Sequence, residues 1–322
     1  MKFAIVGAIH QKGLDFLKLY GHTVIEITDI STENLKEKLL DVDGVILRTA
    51  LLPNEVLEVC PNIKIISRHG VGYDNVDLNY LNKHKIALGV TGTANAVSVA
   101  EHVMAFFFQH TKKINISDEV TKKGNFNERI NLPNFFELYK KNILIFGFGR
   151  IGQALAKRCL GFEMDVYVYD PFIKEEVIND FNCKIISKEE GLRKADYVSI
   201  HLPFNDNTKD FISFNELKIM KSNAFLVNTA RGGIVNEKYL YDALKNKRIA
   251  GAGLDVFEKE PPSLNNPLLT LSNILLTPHN AALSLECRIR MSIESCENII
   301  FYIENSEKLN KSNIINMNSL RL

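Results

Sequence analysis

The stretch Asn142-Ile143-Leu144-Ile145-Phe146-Gly147-Phe148-Gly149-Arg150-Ile151-Gly152 decides how this 322-residue chain is read. A short, almost wholly apolar run has the pattern of a buried strand, and G-x-G-x-x-G follows it without a gap. Ile151–Leu160 then reads as a helix. Gly147 permits a tight turn, Gly149 lets backbone approach a pyrophosphate, and Gly152 lets the helix pack close to the strand. The free N–H groups and positive potential of a helix N-terminus suit phosphates. A glycine-rich turn alone is weak support. Here the next strand, Asp165–Tyr169, ends in Asp170, eighteen residues beyond Gly152. That is close to the spacing at which an acid receives the adenosine ribose hydroxyls. A carboxylate at that point repels a 2′-phosphate, so NAD is the expected cofactor rather than NADP.

Outward from this unit the same alternation continues. Short apolar runs that read as strands are Lys2–Val6, Val24–Ile27, Gly44–Leu47, Ile63–Ser67, Tyr197–Ile200, Ala224–Asn228, Ala250–Asp255 and Ile274–Leu276. Thr32–Leu40 and Glu237–Lys245 read as helices between them. Strands alternating with helices predict parallel sheets covered by helices. Val97–Lys113 and Ser284–Asn305 are longer periodic stretches, read as helices that carry the chain between domains. Asp118–Lys140 is polar and reads as irregular, and the tail from Ser306 as loosely ordered at its end. The predicted fold is α/β: two Rossmann-like, doubly wound parallel-sheet domains, with residues 97–282 inserted into a domain made of 1–96 and 283–322.

Composition excludes several function classes. With 39 basic and 38 acidic side chains, the net charge of +1 gives no electrostatic reason to expect nucleic acid or an anionic membrane as a partner. No apolar run approaches the roughly 20 residues needed to span a bilayer. The N-terminal Met1–Gly7 reads as a first strand rather than a signal peptide. Cys60, Cys159, Cys183, Cys287 and Cys296 are dispersed and odd in number, which fits a reducing compartment and no metal site. Cytoplasmic residence is the expectation.

Three side chains at strand ends supply a chemistry. Arg231 lies in Asn228-Thr229-Ala230-Arg231-Gly232-Gly233, after an apolar strand, where ligands bind in open α/β sheets. Its guanidinium offers a two-pronged fork for a carboxylate. Gly253–Pro262 puts Asp255, Glu258 and Glu260 in one loop, with two prolines to stiffen it. His279 follows the last short strand in Thr277-Pro278-His279-Asn280. Each alone is unremarkable; a lone histidine after a strand is usually a polar surface residue. Together they match the reduction of a 2-oxo acid, which needs a proton donor for the carbonyl, a cation for the carboxylate and a hydride. Histidine is the acid–base suited to neutral pH. A nearby glutamate would hold its tautomer and stabilise its charged form.

At this point the chain resembles the D-isomer-specific 2-hydroxyacid dehydrogenases, nearly end to end. The resemblance is carried by Arg68–Asp77 (RHGVGYDNVD), Ser98-Val99-Ala100-Glu101-His102, Gly147–Gly152, His201-Leu202-Pro203, Asn228–Gly233, Gly253–Pro262 and Pro278-His279. It implies that Arg231 binds substrate, that Glu260 pairs with His279, and that His279 is the acid–base. It implies nicotinamide contacts for Asp255, Thr229, Ala230, Arg231 and His279. Gly147, Gly149, Arg150, Ile151, Gly152 and Asp170 would hold pyrophosphate and ribose, with His201, Leu202, Pro203 and Thr208 on the adenosine side. In the other, substrate-binding domain, backbone N–H groups of His69, Gly70, Val71 and Gly72 would cradle the substrate carboxylate. Arg48 resembles an arginine near the substrate's distal end, and Arg129 is a second candidate there. The resemblance implies a homodimer, with Val97–Lys113 either at the interface or packed within its domain. It also implies, from the end at Leu322, no C-terminal regulatory domain. It leaves open 3-phosphoglycerate against glyoxylate or hydroxypyruvate, and an NAD-sensing corepressor-like protein of the same fold. Glu260 argues against formate dehydrogenase, which carries Gln there.

Overall fold

The computed structural model describes residues 1–320. The described chain divides into two compact units, Met1–Ala96 with Ala282 onward, and Val97–Ala281.

The first unit carries β1 (Lys2–Val6), β2 (Thr23–Ile27), β3 (Gly44–Leu47), β4 (Ile65–Arg68) and β5 (Ala87–Val90), all parallel, in the order β2-β1-β3-β4-β5. Alternate side chains separate its two faces. Ala4, Val6, Val45, Leu47, Ile66 and Leu88 pack under the helices that carry Leu35, Val56 and Leu81. Phe3, Ile5, Ile46, Ile65 and Ala87 pack against Leu14 and Leu17 of the helix Gln11–Leu19 and against Cys296, Ile299 and Ile300 of the helix Leu285–Ile303. The first helix holds Gly13 because a Cβ there would meet Ser292 at 2.9 Å.

The second unit carries β6 (Asn142–Phe146), β7 (Asp165–Tyr169), β8 (Lys184–Ile185), β9 (Tyr197–Ile200), β10 (Phe225–Asn228), β11 (Gly251–Leu254) and β12 (Ile274–Leu276). All are parallel, in the order β12-β11-β10-β9-β6-β7-β8. The order reverses between β6 and β9, so a crevice opens where their C-terminal ends diverge, the usual ligand position in such sheets. Strands buried on both faces explain the near-continuous apolar runs. One face packs Leu144, Phe146, Ile200, Leu226 and Leu254 on Leu192, Leu217 and Leu240. The other packs Ile143, Ile145, Val168 and Val227 on Val103, Phe107, Leu155 and Cys159. The predicted fold class is what is observed.

The helix Ala96–Lys112 buries Ala100, Val103, Met104, Phe106 and Phe107 in this core, packing within the unit as one of its two anticipated roles requires. Three local expectations change. The segment expected to be irregular contains the helix Ile114–Lys122 and a 3-10 turn, Phe126–Asn131. Strands β5 and β8 are additional. The tail is docked where it is described: Ile315 N–H donates to Leu88 O at 2.9 Å, and Asn316 Oδ1 accepts from Leu88 N–H at 2.8 Å, while its last two positions lie outside the described residues. It thereby covers the edge of β5, where unpaired backbone groups would otherwise lie open. All five cysteines are free and buried. No helix of the described residues is long and apolar enough to cross a membrane, and no group of ligands there could hold a metal ion.

Candidate active site

The glycine-rich turn sits at the β6 end of the crevice. Gly147 has φ 88°, and a Cβ on it would lie 2.6 Å from the His201 carbonyl at the end of β9. Gly152 approaches the turn just as closely: a Cβ there would lie 2.2 Å from Gly147 O. Gly149 caps the helix Arg150–Gly161, and a Cβ on it would meet nothing within 4 Å. The helix therefore begins at a bare backbone. Asp170 reaches back to this turn. Its Oδ2 accepts the Phe148 N–H at 2.7 Å and its Oδ1 the Phe172 N–H at 2.9 Å. A carboxylate has about four acceptor positions, so capacity for ribose hydroxyls remains.

Across the crevice, Thr208 Oγ1 donates to Pro203 O at 2.6 Å and folds the His201-Leu202-Pro203 loop. The His201 ring is held by Ser199 Oγ at 2.9 Å, and burial pushes its pKa down to about 3, so it is neutral. His201 Nδ1 and Thr229 Oγ1 are shielded from solvent without a hydrogen-bond partner. Buried polar atoms are rarely left so. With the bare Gly149 backbone, they fit a dinucleotide along this crevice.

The turn after β10 is shaped by Asn228, whose side chain takes the Ala230 N–H at 3.0 Å and donates to Arg231 O at 2.8 Å. This turn holds Arg231 at the sheet end. Arg231 Nη1 donates to Ala230 O at 2.8 Å. The loops after β11 and β12 meet. His279 Nδ1 lies 2.7 Å from Glu260 Oε2, while Glu260 Oε1 accepts the Phe257 N–H at 3.1 Å. Glutamate is thus oriented by backbone and in turn orients the imidazole. The pair lines a cavity of about 310 Å³ with Phe257, Pro261, Pro262, Leu276, Thr277 and Pro278. The His279 side chain is 51% exposed, and its backbone has φ 51°, a left-handed conformation that side chains other than glycine seldom adopt.

Asp255 is 1% exposed beneath this loop. Its Oδ1 accepts the Thr277 hydroxyl at 2.6 Å and the Asn280 N–H at 2.9 Å, and its Oδ2 accepts the Ala281 N–H at 3.0 Å. The carboxylate expected to meet nicotinamide thus also fixes the loop on both sides of His279.

In the first unit, β3 and β4 end side by side, which sets Arg48 next to His69. Arg68 donates to Leu47 O and Gly72 O, closing the loop that holds Gly70 and Val71. His69 Nε2 lies 3.1 Å from Ser292 Oγ. Burial, reinforced by Arg48, Arg68 and Arg288, lowers its pKa to about 4. Arg129 belongs to the second unit, where its guanidinium lies 5.1 Å from the Phe126 ring centre. Sequence reasoning assigned no role to Arg68, Asn228, Ser98, His102 or Thr277. The motifs containing them were visible, but the partners of Ser98, His102 and Thr277 lie far along the chain.

Comparison with known proteins agrees with this geometry. The family described as "D-isomer specific 2-hydroxyacid dehydrogenase, NAD binding domain" matches residues 104–281. A D-3-phosphoglycerate dehydrogenase of Archaeoglobus fulgidus is 34% identical over 93% of this chain, which spans 57% of that enzyme's length. A glyoxylate reductase of Pyrococcus furiosus is 34% identical over 94% of this chain and 92% of its own. The structure of a D-lactate dehydrogenase of Aquifex aeolicus, complexed with NAD and lactic acid, superposes with a TM-score of 0.84 at 25% identity, over 97% of this chain and 98% of its own. Fold, motif order and similarity along almost the whole chain converge: this chain belongs to the D-isomer specific 2-hydroxyacid dehydrogenases.

Proposed function

We propose that the chain is an NAD-dependent D-2-hydroxyacid dehydrogenase that interconverts a small 2-hydroxy acid and its 2-oxo acid. The observation that carries this reading is the His279–Glu260 pair at 2.7 Å, held in a cavity at the sheet end. NAD, when bound, supplies or accepts the hydride. Residues 97–282 form the cofactor domain and 1–96 with 283–322 the substrate domain. Asp170 receives the ribose hydroxyls, and Arg150 and Ile151 lie against the pyrophosphate. Arg231 forks the substrate carboxylate and polarises the carbonyl, and in the substrate domain the backbone N–H groups of residues 69–72 offer a cradle for a carboxylate. With Nδ1 engaged by Glu260, His279 uses Nε2 to protonate the carbonyl oxygen on reduction. It takes the same proton back on oxidation. Glu260 stabilises the imidazolium in either direction. The functional form is a homodimer in a reducing, cytoplasmic setting, with no nucleic acid or membrane partner.

Steady-state oxidation of NADH across glyoxylate, hydroxypyruvate, pyruvate and phosphohydroxypyruvate tests the reading. Turnover with at least one is expected, and the preferred acid names the substrate. NADH binding without turnover of any of them would replace the enzyme with a sensor.

A further inference from the structure

The segment Ser98–His102 lies on the helix Ala96–Lys112, and its histidine has no part in the proposed hydride and proton transfers. Ser98, His102 and Phe106 are spaced four residues apart and share one face. Phe106 packs over Gly253, where a Cβ would meet its ring at 2.8 Å, so the helix lies hard against β11. Ser98 Oγ donates to Ala281 O at 2.8 Å, at the far end of the His279 loop. His102 Nε2 lies 3.0 Å from Thr277 Oγ1, at the near end, and 3.8 Å from Asp255 Oδ1. One helix face therefore braces both ends of the loop that carries the acid–base.

Donor and acceptor roles follow. The Thr277 hydroxyl spends its hydrogen on Asp255 at 2.6 Å, so Oγ1 can only accept from His102. That requires the Nε2–H form of the ring. Burial opposes charge on His102 more than the nearby Asp255 favours it. The relay thus runs from His102 Nε2–H to the Thr277 hydroxyl, then to the Asp255 carboxylate, which also holds the Asn280 and Ala281 N–H groups. Between these anchors His279 keeps its left-handed backbone. A loop freed at Thr277 would relax that conformation and swing the imidazole away from Glu260.

We propose that His102 is a positioning residue for His279, acting through Thr277 and Asp255 as a neutral Nε2–H donor. The proposal rests on the dehydrogenase reading for its catalytic consequence. The variants are H102A, H102Q, T277V and H102A/T277V, assayed with NADH and the best 2-oxo acid. H102A and T277V are each expected to lower kcat by about 10- to 100-fold, the cost of a misplaced catalytic group, with the KM for NADH within about 2-fold of the parent. The double variant should lose no more than either single one, because both cut the same relay. H102Q, whose amide can donate to Thr277, should fold like the parent and regain most of the loss. Parental kcat in H102A, or losses that multiply in the double variant, would overturn the proposal. If the parent turns over no 2-oxo acid, the functional reading falls. The relay is then read from 15N-labelled histidines by NMR. His102 as the neutral Nε2–H tautomer, lost in T277V, upholds the relay; a charged or Nδ1–H ring refutes it.

Discussion

A histidine with φ 51° stores strain on the order of 1 kcal/mol or more, and His279 keeps it because the loop is tied on both sides. In the proposed mechanism its value lies in direction: one ring nitrogen faces Glu260, which leaves the other for substrate. Replacing His279 with Ala should lower kcat by about 10²–10⁴-fold, the range for general acid–base groups. Glu260→Gln keeps the shape but not the charge and should cost about 10-fold or more by the same reasoning. Steady-state rates in both directions check both; parental rates in either variant would leave the pair without a catalytic task. Asp170 holds the Phe148 N–H of the glycine turn, a duty beside its proposed contact with the ribose. Asp170→Ala should therefore weaken both coenzymes and narrow the preference for NADH over NADPH. Asp170→Asn retains an acceptor for Phe148, so it should narrow the preference with a smaller overall loss. Coenzyme titrations of the two variants check this, and an unchanged NADH/NADPH ratio in both would remove Asp170 from cofactor selection. Asp170, Arg231, Glu260 and His279 were singled out as candidates from sequence because each is charged and lies in a segment that follows a strand. His102 was not, because its partner Thr277 is 175 positions away, and a histidine on an apolar helix reads first as core.

At the scale of elements, the catalytic loops depend on close backbone approach. Gly232 follows Arg231, and a Cβ on it would lie 1.8 Å from Phe257 O and 2.6 Å from Glu258 N. That backbone also offers the N–H that orients Glu260. Gly232→Ala must push the Glu260 loop outward. It should lower kcat by about 10- to 100-fold through misplacement, with a smaller change in NADH affinity. Kinetics and coenzyme binding on one preparation check it; parental kcat would show that the loop yields without cost. The glycines were visible in sequence as a cluster, but their distances were not. Most strands were readable because a strand buried on both faces is apolar throughout. Strand β5 hides after the polar Asn82–Lys85 and contains a glycine, and β8 is a two-residue edge strand. The helix Gln11–Leu19 carries Gly13, a poor helix former, retained for the approach of Ser292. The tail is polar in composition, yet Asn313 and Asn316 spend that polarity on buried hydrogen bonds.

For the whole molecule, acid is the weak direction. His69 and His110 are held near a pKa of about 4 and His201 near about 3, burial being the main cause in each. Folded, they stay neutral; unfolded, they take up protons below their ordinary 6.5. Their stabilising effect is full above pH 6.5 and is lost as pH falls toward 4, by up to about 1.4 kcal/mol per pH unit for each. Denaturant unfolding at pH 7.0 and 5.0 should show this fall, and His110→Phe, placed against Phe225, should reduce it. An unaltered pH slope in that variant would exclude His110 as a contributor. The second unit also exposes Ile114, Phe126, Ile130, Phe135, Phe136 and Tyr139, Ile130 by 83%. Large exposed apolar side chains of this kind would suit the proposed homodimer. Light scattering should find a dimer, and F126D/I130D should make it a monomer; a monomeric parent would end the proposal.

The insertion of one unit into the other has a consequence for biosynthesis. The inserted unit is a single continuous stretch, and it leaves the ribosome with its sheet and both covering layers complete. The flanking unit cannot do so. Phe3, Ile5, Ile46 and Ile65 are translated early, but Ile299 and Ile300, which cover them, arrive only after residues 97–281 have been made. At ordinary translation speeds that interval is roughly 10–40 s. For that time one face of a nascent parallel sheet is covered only by the helix Gln11–Leu19, so the first ninety-odd residues are the part of this chain most in need of a chaperone.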